Sequence, residues 1–518
     1  MARVSKGAGL LLLTAALGHL GCGPWSGTTA PGTAERPFQG ERITIAAVGD
    51  ASLAKIVIPL LGEWQESRRA EAAVNAKAVE PLAARETDVL LFSADRLGDL
   101  VDAQALAVLP ESVVRPPASK NDDEANAETA PPDPLAFRDV VESYRDEVTR
   151  YGEDRMALPL GGSALVLVYR RDAFEREANR QAAKQAGLTL EPPTTWEGLD
   201  ALARFFHGRD WNGKGHEGAG IALTFQEGAG NDIFLARSAA LGLRTDQYSF
   251  LFDAETMTPR ITLPPFVEAA RAFSRLASLG PEGAAEFHTI QAREAFRTGK
   301  VALLIDRAER WASWSSPETP IAVGVAALPG SERLYDPDQK TWTTSTPPNR
   351  PSYLPHGGGW LAGISAAATG RRRDAAIDFL KYLTSPETSA RLLADPTLPM
   401  LPVRASQIAQ GPPGRLSPGL DARSWSNAVS ETLTAARVVP GLRIPQTEDY
   451  LTDLGQHRAQ ASMSTDDPGS VEDALTKAAK AWTERTDKLG LDRQRWHYRR
   501  SLNKYPTSPE PPAAKASR

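Results

Sequence analysis

Ile43-Thr-Ile-Ala-Ala-Val48, the break Gly49-Asp50, and Asp88-Val-Leu-Leu-Phe92 are the stretches that decide the fold of this chain. The first run reads as a buried strand, and the second is apolar on both faces, as a central parallel strand is. Between them Leu53, Ile56, Val57, Leu60, Leu61 and Trp64 recur at helical spacing and form one apolar stripe. Strand, helix and strand at this spacing predict right-handed βαβ units in an open parallel sheet. Ligands of such sheets bind beyond the carboxyl ends of the strands. The rule points to two loops, 49–52 and 93–96, and makes Asp50, Ser93 and Asp95 candidate ligand contacts.

The same kinds of signal continue toward the C-terminus. A helix is predicted over 137–151, an extended piece over 157–160 and an apolar strand over 164–169. Thr194-Thr-Trp-Glu197 reads as a capping box in which Thr194 caps the amide of Glu197, opening a helix that runs to Phe206. Further helices are expected over 266–279, 292–297, 374–383 and 471–488. Another covers 386–393, with Ser385 as cap and Pro386 in its first turn. Strands are expected at 301–305, 321–327 and 360–364. Residues 115–134 and 331–355 read as insertions, and 503–518 as a disordered tail.

A chain of 518 residues is too long for one core, so at least two lobes are expected. With 41% hydrophobic and 24% charged residues the composition is that of a globular protein. The net charge is −5 and no basic stripe stands out, which argues against a nucleic-acid partner. Cys22 is the single cysteine, so neither disulfides nor thiolate metal sites can support the fold. It follows a basic start (Met1–Lys6) and a short apolar stretch (Gly7–Leu20), the pattern of a secretory signal over 1–21. Leu17-Gly-His-Leu-Gly-Cys22 resembles the lipobox of bacterial lipoproteins, with His19 where a leucine is usual. The resemblance implies lipidation of Cys22, a flexible linker over 22–40, and a chain tethered in the periplasm or on the outer face of the cell membrane.

Five segments, in order, resemble the family 1 extracellular solute-binding proteins of ABC importers, the group that includes the sugar-binding proteins. They are Asp88-Val-Leu-Leu-Phe-Ser-Ala-Asp95 with Leu97–Leu109, and Tyr151–Leu160 running into Leu167–Phe174. Pro193-Thr-Thr-Trp196 follows, then Glu294–Ile305 with Trp311, then Leu361–Ser365 with Ala375–Glu387. The resemblance implies a type II two-lobed α/β fold, each lobe an open, mostly parallel sheet flanked by helices, joined by hinge strands. It would place 41–156 plus 294–330 in lobe 1 and 157–293 plus 357–502 in lobe 2, with hinges near 157–160, 305–311 and before Gly357. It implies a monomer that captures a small solute, a carbohydrate by the family's default, and delivers it to a permease without cofactor, metal or catalysis.

Such a cleft needs flat apolar faces and a few polar groups. Beside Asp50, Ser93 and Asp95, the candidates on strand ends and loops are Tyr169, Gln226, Arg307, Trp311, Gly358, Trp360 and Arg404. Tyr169 reads more readily as core, and Trp64 and Trp196 lie on apolar helical faces. Asp210-Trp-Asn-Gly-Lys-Gly215 begins like a calcium loop, but Lys214 and Ile221 stand where oxygen ligands are needed, so an Asn-Gly turn is the expectation. No nucleophile elbow, phosphate loop or His-Glu-x-x-His is present. Paired carboxylates leave no sequence signature, so an exported carbohydrate hydrolase stays as one alternative, and a sensor on the same fold as another.

Overall fold

The computed structural model describes residues 37–114, 133, 135–247, 249–395, 399–414, 417–462 and 469–503. The leader with Cys22, the 115–134 insertion apart from Asp133, and the tail from 504 onward lie outside the described residues.

Two sheets organise the chain. The strands are β1 (Arg42–Ala47), β2 (Glu71–Val74), β3 (Val89–Ser93), β4 (Leu158–Gly161), β5 (Leu165–Arg170), β6 (Ala219–Ala222), β7 (Val301–Arg307), β8 (Val323–Ala327), β9 (Ser331–Asp336), β10 (Thr341–Asn349) and β11 (Trp360–Ile364). The first sheet runs β2-β1-β3-β11-β4 and the second runs β8-β5-β7-β6. In the first, β1 is parallel to β2 and β3, and β11 is antiparallel to β3 and β4. In the second, only β6 and β7 are parallel. Pairing is thus mixed within a two-lobed α/β architecture.

Helix α1 (Ser52–Arg68) buries Leu53, Ile56, Val57, Leu60 and Trp64, the stripe read from the sequence. The Trp64 indole donates to Asp378 at 2.8 Å, tying α1 to α5 (Gly370–Thr384), once α2 (Trp196–Phe206), α3 (Glu227–Gly242) and α4 (Pro264–Ala277) have passed in the other lobe. The second sheet is covered on both faces, as alternation within β5 shows. Val166 and Val168 join the core shared with the first lobe, whereas Leu165 and Leu167 join the core under α2, α3 and α4. The chain continues through α6 (Pro386–Leu393), α7 (Ala422–Leu433), α8 (Thr447–Ser462), α9 (Ser470–Leu489) and α10 (Leu491–Ser501).

The lobe boundaries differ from those the resemblance implies. Residues 301–307 and 323–327, expected in lobe 1, pair with β5 and β6 in the second sheet, and 360–364, expected in lobe 2, lies between β3 and β4. The chain changes sheet at 161–165, between β4 and β5, and again at 354–359, and it returns to the second sheet after α6, where Leu420 bridges Val323. The 305–311 segment is no crossing, because β7 runs into a 3-10 turn (Ala308–Ser313) beside its own sheet. The 331–355 insertion forms the antiparallel hairpin β9–β10, anchored where the Asn349 amide donates to the Ala240 and Leu243 carbonyls.

Two local expectations also change. Residues 137–151 break into a 3-10 turn at 137–139, a short π-helix at 143–148 and a two-residue strand at 150–151, because Val140 bridges Arg404 and the Val141 amide donates to the Val403 carbonyl. Thr195, not Thr194, caps α2 by accepting from the Gly198 amide at 3.1 Å. Thr194 and Trp196 are held in extended pairing with Gly330. Ser385 caps α6 as read, accepting from Thr388.

The lobes are also tied away from the sheets. Arg443 is buried, and its guanidinium donates to the carbonyls of Glu147, Val148, Arg150 and Ser501. Burial lowers its pKa to about 10, opposed by Tyr151 and Glu147. The loop carrying it lies on Gly98, where a Cβ would stand 2.5 Å from the Arg443 carbonyl oxygen. Gly98→Ala is expected to lower unfolding stability by about 1–3 kcal/mol, because backbone on both sides leaves the added methyl no room. Urea denaturation of the two proteins checks this.

Candidate functional site

The loops at the carboxyl ends of β1 and β3 meet the crossings at 161–165 and 354–359 around a cavity of about 280 Å³. The first lobe contributes Gly49, Asp50, Ser93, Asp95 and Arg96. The crossings contribute Gly162 and Ser163, then His356, Gly357, Gly359 and Trp360. Arg307, Glu309 and Arg310 enter from the end of β7, and Glu448 from the start of α8.

The second crossing has an unusual backbone. Gly357, Gly358 and Gly359 have φ of 90°, 60° and 95°, a run that only glycine adopts without strain. The Ala94 amide donates to the carbonyls of Gly357 and Gly359, which locks the loop after β3 onto this crossing. Tyr144 supports it from below: its hydroxyl donates to the Gly358 carbonyl at 2.8 Å and accepts from the Ser163 amide at 2.9 Å, so one phenol joins both crossings.

Charges of both signs converge here. Asp232, at 1% exposure, accepts from Arg307 Nη2 at 3.0 Å and from the His356 amide at 2.7 Å. Arg307 also donates to the His356 carbonyl at 2.8 Å. Burial raises the Asp232 pKa, opposed by Arg307 and His356. Burial likewise raises Glu309, against Arg307 and the hydroxyl that Ser163 donates to it. For Arg307, burial pulls downward, but Asp232 and Glu309 outweigh it and hold the guanidinium above its usual value. Burial also pulls His356 down, yet the bond to Glu448 and the charges of Asp95 and Asp232 bring it to about 9. The cavity therefore presents fixed cations and carboxylates a few ångströms apart, suited to a polar guest that makes several directional bonds.

Of the residues read from the sequence, Asp50, Ser93, Asp95, Arg307 and Trp360 come together at this cavity, with Gly358 between two lining glycines. Four others lie elsewhere. The Tyr169 ring packs on Phe174, at 4.8 Å between centroids, and covers Gly324. Gln226 donates to the Ala285 carbonyl at 3.0 Å. Trp311 is buried edge-on against Trp425. Arg404 is buried and donates to the carbonyls of Ala136 and Thr384, a structural tie. In the 210–215 loop, the Asp210 carboxylate accepts from the amides of Lys214 and Gly215, a turn closed on itself.

His356, Glu309, Arg310 and Glu448 are not among the candidates read from the sequence, and Arg96 enters only as the last residue of the 93–96 loop. His356 stands directly before the Gly357–Trp360 run and Glu309 two residues after Arg307, so proximity to chosen positions was the available signal. Glu448 stands in the first turn of α8 and carries no local signal at all.

Residues 65–413 match the family described as bacterial extracellular solute-binding protein. No curated protein matches the sequence. Among solved structures, the sugar-binding protein MalE of Xanthomonas citri is 16% identical with a TM-score of 0.59, over 86% of this chain and 98% of that one. Maltose-bound MalE3 of T. maritima is 17% identical with a TM-score of 0.57, over 86% of this chain and 100% of its own. An ABC transporter solute-binding protein of Agrobacterium radiobacter K84, in complex with ribitol, is 19% identical with a TM-score of 0.56, over 86% and 100%. Identities this low establish a shared fold.

Asp232→Ala removes the acceptor of both Arg307 and the His356 amide, and leaves a partly buried guanidinium unpaired. The expected loss is about 3 kcal/mol of unfolding stability, read from urea denaturation against the wild-type chain.

Proposed function

Starting from the fact that the chain belongs to the bacterial extracellular solute-binding proteins, we propose that it captures a small, hydroxyl-rich solute between its lobes and hands it to the permease of an ABC importer. The observation that carries this reading is the cavity itself. It lies beyond the carboxyl ends of β1 and β3, where open α/β sheets hold ligands, and the crossings at 161–165 and 354–359 form its walls. Crossings placed there let a change in lobe angle open and close the same space.

Size and lining favour a monosaccharide or linear polyol over a long oligosaccharide. About 280 Å³ is slightly below the ~300–1,000 Å³ of pockets that hold drug-sized ligands. Trp360 is the only aromatic side chain among the lining residues, so it offers one stacking platform. Asp50, Ser93, Asp95, Arg96, Arg310 and Glu448 offer the polar contacts. The ribitol complex among the solved structures of the same fold supports this class. The lining carboxylates serve as acceptors for hydroxyls, and the solute leaves unchanged.

No helix among the described residues is long and apolar enough to cross a membrane. Attachment at the outer face of the membrane is assigned to a lipid on Cys22. Two or more acyl chains suffice for stable anchoring.

Thermal unfolding of the chain with pentoses, hexoses, their polyols and maltodextrins tests capture. A rise in Tm with a member of the small polyhydroxyl set, saturating with concentration, is expected. Absence of any shift well above micromolar concentration would overturn the reading. Trp360→Ala should weaken the bound solute by about 30-fold, the equivalent of ~2 kcal/mol of lost ring burial, as measured by calorimetry. Cys22→Ser is expected to move the protein from the membrane fraction to the soluble fraction of the producing cell.

A further inference from the structure

Three side chains from separate parts of the chain converge at one end of the cavity. Asp95 follows β3 in the first lobe, His356 sits on the second crossing, and Glu448 opens α8 in the second lobe. One ligand-type atom from each lies within 4.8 Å of the other two. His356 Nε2 is 3.0 Å from Glu448 Oε2 and 3.4 Å from Asp95 Oδ2. Atoms held ~2.0–2.2 Å from one tetrahedral ion are separated by about 3.3–3.6 Å, so these gaps are close to coordination spacing.

Asp95 supplies the independent observation. It is 7% exposed, and its Oδ1 has no hydrogen-bond partner. His356 Nε2 is hydrogen-bonded to Glu448, leaving Asp95 as an ion-pair neighbour only. A buried carboxylate oxygen without a partner is costly. It is also held in place, because the next-door Ala94 amide is bonded to the crossing at Gly357 and Gly359.

We propose that Asp95, His356 and Glu448 form a divalent-cation site inside the cleft. One imidazole and two carboxylates suit an ion of the zinc or manganese type. Three protein ligands leave coordination positions open toward the cavity, where hydroxyl oxygens of the captured solute complete the shell. That last role rests on the reading of the cavity as the solute cleft; binding of the ion does not. Because Asp95 and Glu448 come from different lobes, the ion also joins the lobes across the cleft.

The test is calorimetric titration of chelator-treated, full-chain protein with zinc chloride, and separately with manganese chloride, without solute. One equivalent of at least one ion is expected to bind. Glu448→Gln should weaken it about tenfold and His356→Gln about 100-fold. His216→Gln, on an exposed loop outside the cavity, should leave it unchanged. No saturable one-to-one binding of either ion overturns the proposal, as does one-to-one binding that both cavity variants leave intact. Should circular dichroism show that His356→Gln does not fold, Glu448→Gln at the exposed end of the cluster decides. The solute panel repeated with chelator present separates the two readings. Solute binding without ion binding overturns only the cation site, and ion binding without any solute response overturns only solute capture.

Discussion

The carboxylate of Asp232 is the constraint on which the cleft depends. It is buried in α3 of the second lobe, yet it holds the backbone of the crossing that leads to the first. By accepting from the His356 amide and from Arg307 together, it sets where the Gly357–Gly359 run begins and where the end of β7 lies. A buried charge persists only with partners of this kind. Three successive glycines at positive φ could follow many paths. Asp232 at one end, and the Ala94 amide and the Tyr144 hydroxyl along the run, select one of them.

Seen from the cavity, this support has an electrostatic consequence. Arg307 is committed to Asp232 and to the His356 carbonyl, and Glu309 to the Ser163 hydroxyl. Both therefore act mainly on the frame and on the field within the cavity. The other lining groups, Asp50, Ser93, Asp95, Arg310 and Trp360, sit on loop ends whose positions that frame determines. A lining built this way offers preplaced polar groups more than apolar area, with Trp360 as its one large ring.

Several of these residues were legible before any coordinates. Asp50, Ser93 and Asp95 follow from strand polarity alone, since a parallel βαβ unit puts the loops after its strands on one edge. Arg307 and Trp360 were readable as residues at strand ends near turns. Trp311 and Arg404 misled because a tryptophan or an arginine beside a loop looks alike whether it faces a cleft or ties a core. Here Trp311 meets Trp425, 114 positions along the chain, and Arg404 meets Ala136, 268 positions back. The expected partition into lobes failed for a related reason. β7 and β11 are both short apolar strands, and nothing local to either states which sheet receives it.

What the sequence by itself determined is the set of faces. The helical stripe of α1, the doubly apolar β3 and β7, and the Ser385 cap of α6 all follow from residues within a turn or two of each other. Tertiary structure alone decided the strand order, the replacement of the 137–151 helix by short pieces, and the meeting of Asp95, His356 and Glu448 at one point. The physical reason is separation along the chain. Periodicity records whether a side chain is buried, because burial acts on each residue where it stands. Which distant segment does the burying is chosen only when the crossings close and the two cores pack together.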